Sequence, residues 1–225
     1  MLATWDKAGR VGQAGIVSCF AFNPDRSGVF AAGAYDGSVA LYDVNTGEQQ
    51  LLMHGHSGGV THVRFSPDGN YLYTGARRDD RVLCWDVRAS AGVVYALHRC
   101  SECTNQRLGF DIEPGGRHLL AGGTVRNFWH AGRAELTACA ACAQDGLVRV
   151  FDLTTGSQVA SLPAASDVVG WTEVHPYAPL VATASGHRRL ETEEMATARA
   201  DAAANALRVW RFAVQTSEAL VGVAV

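Results

Sequence analysis

Long hydrophobic segments are missing from this 225-residue sequence. No apolar run approaches the roughly 18 residues that a membrane-spanning helix requires, so we expect no membrane association. Residues 1–6 have neither the basic nor the apolar region of a secretory signal. Without such a signal, the six cysteines favour a reducing compartment and free thiols over a disulfide framework.

Charge is also scarce. Charged residues make up 18% of the chain and the formal net charge is −3. This balance excludes a generally basic nucleic-acid-binding protein but leaves room for a local basic patch.

The common catalytic motifs are absent as well. The sequence contains no phosphate-binding glycine loop, no HExxH and no GxSxG. We therefore expect no enzymatic activity, no cofactor and no small-molecule substrate. Two CxxC pairs, Cys100/Cys103 and Cys139/Cys142, have the thiols that tetrahedral Zn²⁺ prefers, but 35 residues separate them. We interpret the pairs as coincidence and expect no metal site, with zinc as the alternative.

What the sequence does contain is an internal repeat. An offset of 43 residues relates Val17 to Val60, Pro24 to Pro67, Asp36 to Asp79 and Asp43 to Asp86. A period in the low forties, with Gly-His near its start and Trp-Asp near its end, is typical of a WD-repeat blade. Two further copies close on Phe151-Asp152 and on Trp210.

The repeat predicts an all-β fold. We expect a partial WD-repeat β-propeller domain over residues 1–225, with about four blades present as part of a seven-bladed ring. The predicted repeats cover about 12–47, 55–88, 104–156 with an insertion at 125–144, and 166–212 with an insertion at 187–205.

The two insertions differ in character. Residues 125–144 show no strand or helix periodicity, and their removal would join Thr124 directly to Asp145. A retained in-frame intron and an ordinary hairpin insertion both fit this pattern. Residues 187–205 are polar and rich in Ala and Glu, which favours a solvated helix or a disordered loop.

The second repeat has the residues of a structural polar network. In blades of this type a His, a Ser or Thr, an Asp and a Trp form a hydrogen-bonded chain, and His56, Thr74, Asp79 and Trp85 match these positions. The other repeats lose parts of this set. In the first repeat Gln13 stands in place of the His and Tyr42 in place of the Trp.

Basic residues cluster along the second repeat and the segment after it. The cluster consists of Arg77, Arg78, Arg81, Arg88, His98, Arg99 and Arg107. Solvated loop charge, partly neutralised by Asp79, Asp80 and Glu102, is the simpler interpretation. The alternative is a patch that contacts phosphate groups, because the arginine fork matches phosphate oxygens.

Several stretches are more specific than a general blade. They are Gln13–Cys19, Gly58–His62, Gly75–Asp79, Leu83–Arg88, Thr104–Arg107, Val174–Pro176 and Ala182–Gly186. In this order they resemble the telomerase Cajal body protein family, from about Gly12 to Trp210. The chain is similar to the C-terminal blades of that family.

The resemblance implies a function. It implies a non-enzymatic RNA-binding scaffold that recognises the CAB box of small Cajal body RNAs or of telomerase RNA, together with ribonucleoprotein proteins. It also implies a location in the nucleus, in Cajal bodies, and a contribution to telomere maintenance. Arg77, Arg78 and Arg107 lie in the matching motifs and are the candidate RNA contacts. The alternative is a WD-repeat adaptor that binds only proteins.

Overall fold

A computed structural model describes residues 13–25, 27–89, 92–99, 104–123, 146–186, 205–213 and 221–224. The insertion at 125–144, the insertion at 187–205 apart from Asn205, and the four cysteines of the CxxC pairs lie outside these ranges. No helix among the described residues has the length and apolar character to cross a membrane.

The described chain folds into four antiparallel sheets of four strands each, and consecutive strands are neighbours in every sheet. Blade 1 contains β1 (Val17–Phe22), β2 (Val29–Ala34), β3 (Ser38–Asp43) and β4 (Gln49–His54). Blade 2 contains β5 (Val60–Phe65), β6 (Tyr71–Ala76), β7 (Arg81–Asp86) and β8 (Val93–His98). Blade 3 contains β9 (Phe110–Ile112), β10 (His118–Gly122), β11 (Leu147–Asp152) and β12 (Ser157–Pro163). Blade 4 contains β13 (Val169–Val174), β14 (Leu180–Ser185), β15 (Ala206–Ala213) and β16 (Val221–Ala224).

The blades are held together by apolar layers between their faces. Side chains alternate along each strand, so every sheet presents one apolar set to each neighbouring blade. Between blades 1 and 2, Leu41 and Met53 pack with Leu72, Leu83 and Trp85. Equivalent layers join blade 2 to blade 3 and blade 3 to blade 4. The prediction of an all-β WD-repeat propeller fold is therefore confirmed.

The first strand of each blade lines the inside of the arc. β1 contacts β5, and β9 contacts both β5 and β13. These inner strands all begin at the same end of their blades, where the β2–β3 hairpin of blade 1 and the β6–β7 hairpin of blade 2 also turn. We call this end the upper rim; it includes residues 15–18, 35–37, 58–61, 77–81, 98–99, 104–109 and 167–170.

A β-bulge recurs where three of the inner strands begin. The register shifts between Val17 and Cys19, between Val60 and His62, and between Val169 and Trp171. One residue of each inner strand is therefore left out of the ladder with the second strand: Ser18, Thr61 and Gly170. These three residues therefore lie at the upper rim, where a bulge locally disrupts the ladder.

Candidate nucleic-acid interface

The upper rim of blade 2 is fixed by a chain of buried side chains. Trp85 Nε1 donates to Thr74 Oγ1 at 2.8 Å, and Thr74 Oγ1 lies 2.7 Å from His56 Nε2. His56 Nδ1 lies 3.0 Å from Asp79 Oδ2. This arrangement brings together the four residues that the repeat pattern assigned to the network. It connects Trp85, near the end of β7, to Asp79 in the β6–β7 hairpin.

Asp79 is the end of this chain and is almost fully buried. Burial by itself would raise the pKa of Asp79, but hydrogen bonds from His56, Arg81 and the Ser57 amide hold that pKa well below its usual range. The ionised carboxylate accepts from Arg81 Nε at 2.9 Å. Because every acceptor direction is used, Asp79 holds the hairpin that contains Arg77 and Arg78.

Blade 1 has a different network, which the sequence did not predict. Gln13 and Tyr42 stand in place of the His and the Trp of the blade 2 set. The Tyr42 hydroxyl donates to Gln13 Oε1 at 3.2 Å, and Gln13 Nε2 donates to the carbonyls of Ala32 and Ser38, each at 3.1 Å. The amide of Gln13 thus bonds both to the Tyr42 phenol and to the backbone, so the two residues that replace the His and the Trp form a brace of their own.

Two of the candidate RNA contacts lie on the β6–β7 hairpin. Arg77 Cζ lies 4.9 Å from the centre of the Tyr35 ring, and Arg77 Nη2 donates to the Tyr35 hydroxyl at 3.3 Å. Arg78 is exposed and has a φ of 53°, the left-handed region that turns its side chain away from the blade. Its amide donates to Thr104 O at 3.1 Å, which ties the hairpin to the segment before β9.

Arg107, the third candidate, crosses the rim between three blades. Its Nη2 donates to Thr61 O at 3.1 Å and lies 3.4 Å from Ser18 O, so it contacts the bulge residues of blades 2 and 1. The side chain is exposed on its other side, and no carboxylate pairs with it in the part of the chain that the structure describes. The three arginines therefore lie on one rim and are linked through backbone contacts.

The remaining basic residues have other roles. Arg81 pairs with Asp79, and His98 Nδ1 lies 3.0 Å from Asp80 Oδ2. Arg88 pairs with Asp86 at 2.9 Å. This pair lies at the end of β7 that is opposite the upper rim. The clustering of Arg88 with the other basic residues in sequence therefore does not hold in space, because the length of β7 separates it from Arg81.

Sequence reasoning missed a cleft of about 680 Å³ on the inside of the arc, which opens at the rim. Its lining includes Thr61, His62, Arg64, Arg107 and Trp171. The His62 ring packs edge to face with Trp171 at 4.7 Å between ring centres. These residues come from blades 2, 3 and 4, and only their shared position at the start of inner strands could have indicated that they meet.

The comparisons with known proteins agree with this architecture. The family model of the WD domain, G-beta repeat, matches residues 7–43 and 47–86. Telomerase Cajal body protein 1 of Mesocricetus auratus is 36% identical over 189 residues, which cover 80% of this chain and 31% of that protein. Over 80% of its own length the chain is therefore similar to telomerase Cajal body proteins. It spans about a third of the length of these curated relatives.

Two other matches are to proteins with different names. Guanine nucleotide-binding protein negative regulator 1 of Schizosaccharomyces pombe is 41% identical over 112 residues, covering 49% of this chain and 28% of that protein. A chain in a crystal structure of the mitotic checkpoint complex has a TM-score of 0.63 and 19% identity, covering 91% of this chain and 50% of its own length. The structural match supports the propeller fold alone.

The family-specific motifs meet at the rim. Gly75–Asp79 and Thr104–Arg107 are far apart in sequence, yet the Arg78 amide bonds to Thr104 O. Gly58, in a third motif, lies so close to the Arg77 carbonyl that a Cβ at position 58 would clash with it. The stretches Gly58–His62, Gly75–Asp79 and Thr104–Arg107 therefore meet at the upper rim.

Proposed function

We propose that this chain is an RNA-binding scaffold and that the upper rim, with Arg77, Arg78 and Arg107, contacts the RNA backbone. The observation that carries the proposal is the convergence of these three arginines on one rim, built from family-specific motifs that are remote in sequence. The proposed RNA is a small Cajal body RNA or telomerase RNA bearing a CAB box, in keeping with the name of the relatives.

The chemistry of the rim supports contact with phosphate. Arg78 is exposed, and no carboxylate accepts from its guanidinium within the described ranges. Arg107 bonds only to backbone carbonyls there, and the Arg77 guanidinium donates to the Tyr35 hydroxyl. An arginine without a carboxylate partner can offer its remaining N–H groups to phosphate oxygens without first breaking an ion pair.

The scaffold role follows from the same geometry. The rim is held by hydrogen bonds within rigid sheets, and in the described chain none of the three arginines sits beside an activated nucleophile or a general base. A propeller with this rim would position RNA, and would support assembly of ribonucleoprotein particles in Cajal bodies and telomere maintenance.

Fluorescence anisotropy with labelled RNA hairpins tests the proposal. The 225-residue chain should bind a CAB-box hairpin more tightly than a scrambled hairpin, with an affinity that falls as salt rises. Combined replacement of Arg77, Arg78 and Arg107 by Gln should weaken binding and reduce the salt slope by roughly 0.7–0.9 for each phosphate that is no longer neutralised.

Arg88→Gln is the matched control, because Arg88 belongs to the same blade but lies at the end of β7 that is opposite the upper rim. It should leave RNA affinity unchanged. Equal binding to both hairpins, or no binding to either, would instead favour a WD-repeat adaptor that binds only proteins.

A further inference from the structure

Two buried polar atoms, each on a residue that lines the cleft, have no hydrogen-bond partner among the described residues. They are Thr61 Oγ1 and His62 Nε2, and their residues are 1% and 9% exposed. Burial of an unpaired polar atom is costly, so native structures rarely leave one without a partner. Two such atoms side by side in one cleft indicate a place where a ligand supplies the missing bonds.

The equivalent position in blade 1 shows that the gap is specific to blade 2. Ser18 is the bulge residue of blade 1, 43 positions before Thr61. Its hydroxyl lies 3.1 Å from Gly33 O and also contacts Val60 O. Both bulge residues have a hydroxyl, but only the one at the cleft lacks a partner.

The surroundings of these atoms favour an anion with a planar group. Arg107 borders Thr61 through its bond to the Thr61 carbonyl. Arg99 is fully buried nearby. Its guanidinium donates from Nη1 to Leu108 O at 3.1 Å, whereas its Nε and Nη2 lack partners in the described chain. Arg64 adds less charge, because it pairs with Asp111 at 2.8 Å.

Trp171 supplies the aromatic surface. The ring packs against Gly109 and edge to face with His62, its Nε1 donates to Glu173 Oε2 at 3.1 Å, and the residue stays 37% exposed. A half-exposed indole beside arginine and unpaired hydrogen-bonding groups is the combination on which unpaired bases stack in single-strand-binding proteins.

We propose that the cleft receives one unpaired nucleotide of the bound RNA. Its phosphate lies against Arg107, its base stacks on Trp171, and the edge of the base bonds to Thr61 Oγ1 and His62 Nε2. This inference rests on the proposed function, since the rim must first hold the RNA. Arg107 belongs to both surfaces and connects the phosphate-binding rim to the cleft.

The test compares two labelled RNAs of equal length, a hairpin with an unpaired loop and a blunt duplex. The wild-type chain should prefer the hairpin. Trp171→Ala should weaken hairpin binding about 5-fold to 100-fold, whereas Trp171→Phe should retain most of the affinity because it keeps an aromatic face. Neither change should alter binding of the duplex, because the rim is intact.

Thr61→Val is the decisive variant if Trp171→Ala fails to fold. It removes only the unpaired hydroxyl, so it should leave the melting temperature unchanged or raised and weaken hairpin binding about 2-fold to 10-fold. Thr183→Val is its control: Thr183 Oγ1 accepts from Trp210 Nε1 at 2.9 Å, so this variant should lower the melting temperature and leave RNA affinity unchanged.

The outcomes separate the two proposals. If the rim variants weaken binding but Trp171→Ala and Thr61→Val leave the hairpin preference unchanged, the nucleotide site is wrong and the RNA-binding rim stands. If the wild-type chain binds neither RNA, both proposals fail.

Discussion

Blades 1 and 2 have the same strand order and adjoin along one apolar layer, yet they brace their sheets differently. Blade 2 uses Trp85, Thr74 and His56 in a side-chain relay that ends on Asp79. Blade 1 joins Tyr42 to Gln13, which then donates directly to backbone carbonyls.

The comparison shows what the fold requires at these positions. Ala32 stands in blade 1 where Thr74 stands in blade 2, because the two residues have equivalent partners on the first and third strands. A Trp at position 42 would therefore find no hydroxyl to accept its N–H. Tyr42 and Gln13 satisfy their polar atoms together, because the amide of Gln13 accepts from the Tyr42 hydroxyl and also donates to the backbone. The requirement is a large ring whose polar atom is satisfied, and it does not demand one particular set of residues.

The largest difference between the two blades should appear on truncation of the blade 2 ring. Trp85→Ala should lower the free energy of unfolding by about 3–5 kcal/mol, because it opens a cavity in the layer between blades 1 and 2 and leaves the Thr74 hydroxyl without its donor. Chemical denaturation monitored by far-UV circular dichroism measures this change. A loss below about 1 kcal/mol would show that Trp85 does not anchor the layer.

The two networks should also differ in their response to acid. The lowered pKa of Asp79 means that its contribution to stability is complete above the unfolded value of about 3.9 and is lost as the pH falls below it. The free energy of unfolding should therefore decline below about pH 4, by up to about 1.4 kcal/mol per pH unit for this one proton.

Asp79→Asn should flatten that decline at the cost of lower stability at neutral pH. The Gln13–Tyr42 pair of blade 1 has no carboxylate, so Gln13→Ala should lower stability by the same amount at acid pH and at neutral pH. Urea denaturation at a series of pH values checks both. A steep acid limb that persists in Asp79→Asn would assign the acid sensitivity to other groups.

The smallest effect concerns the blade 1 hydroxyl. Tyr42→Phe should destabilise by about 1 kcal/mol, because it leaves Gln13 Oε1 buried without its donor while the ring stays in place. Tyr177→Phe is the matched control, since Tyr177 is 94% exposed, and it should have no measurable effect on the melting temperature. Equal melting temperatures for the two variants would mean that the Gln13–Tyr42 bond adds nothing to the fold.

The sequence predicted those features that depend on the repeat. The 43-residue offset located the strands, the turns and the positions of His56, Thr74, Asp79 and Trp85, because each blade repeats one pattern. It did not predict the Gln13–Tyr42 pair, since this pair departs from the pattern.

The cleft was beyond sequence reasoning for a related reason. Thr61 and Trp171 lie in different blades, and their proximity depends on how tightly the arc curves. No local periodicity encodes that curvature. Likewise, the repeat predicts that Arg77 and Arg78 lie in a hairpin. The distance between them and Arg88 became clear only from the structure, in which β7 separates the two positions.

The bulge that opens three of the inner strands also bears on how such a protein diversifies. Valine precedes the bulge in all three cases, at Val17, Val60 and Val169, and these valines belong to the ladder. The bulge residue itself is Ser18, Thr61 or Gly170, and it stays outside the ladder with the second strand. Each of these blades therefore has one position at the rim where the residue can change while the first and second strands keep their pairing.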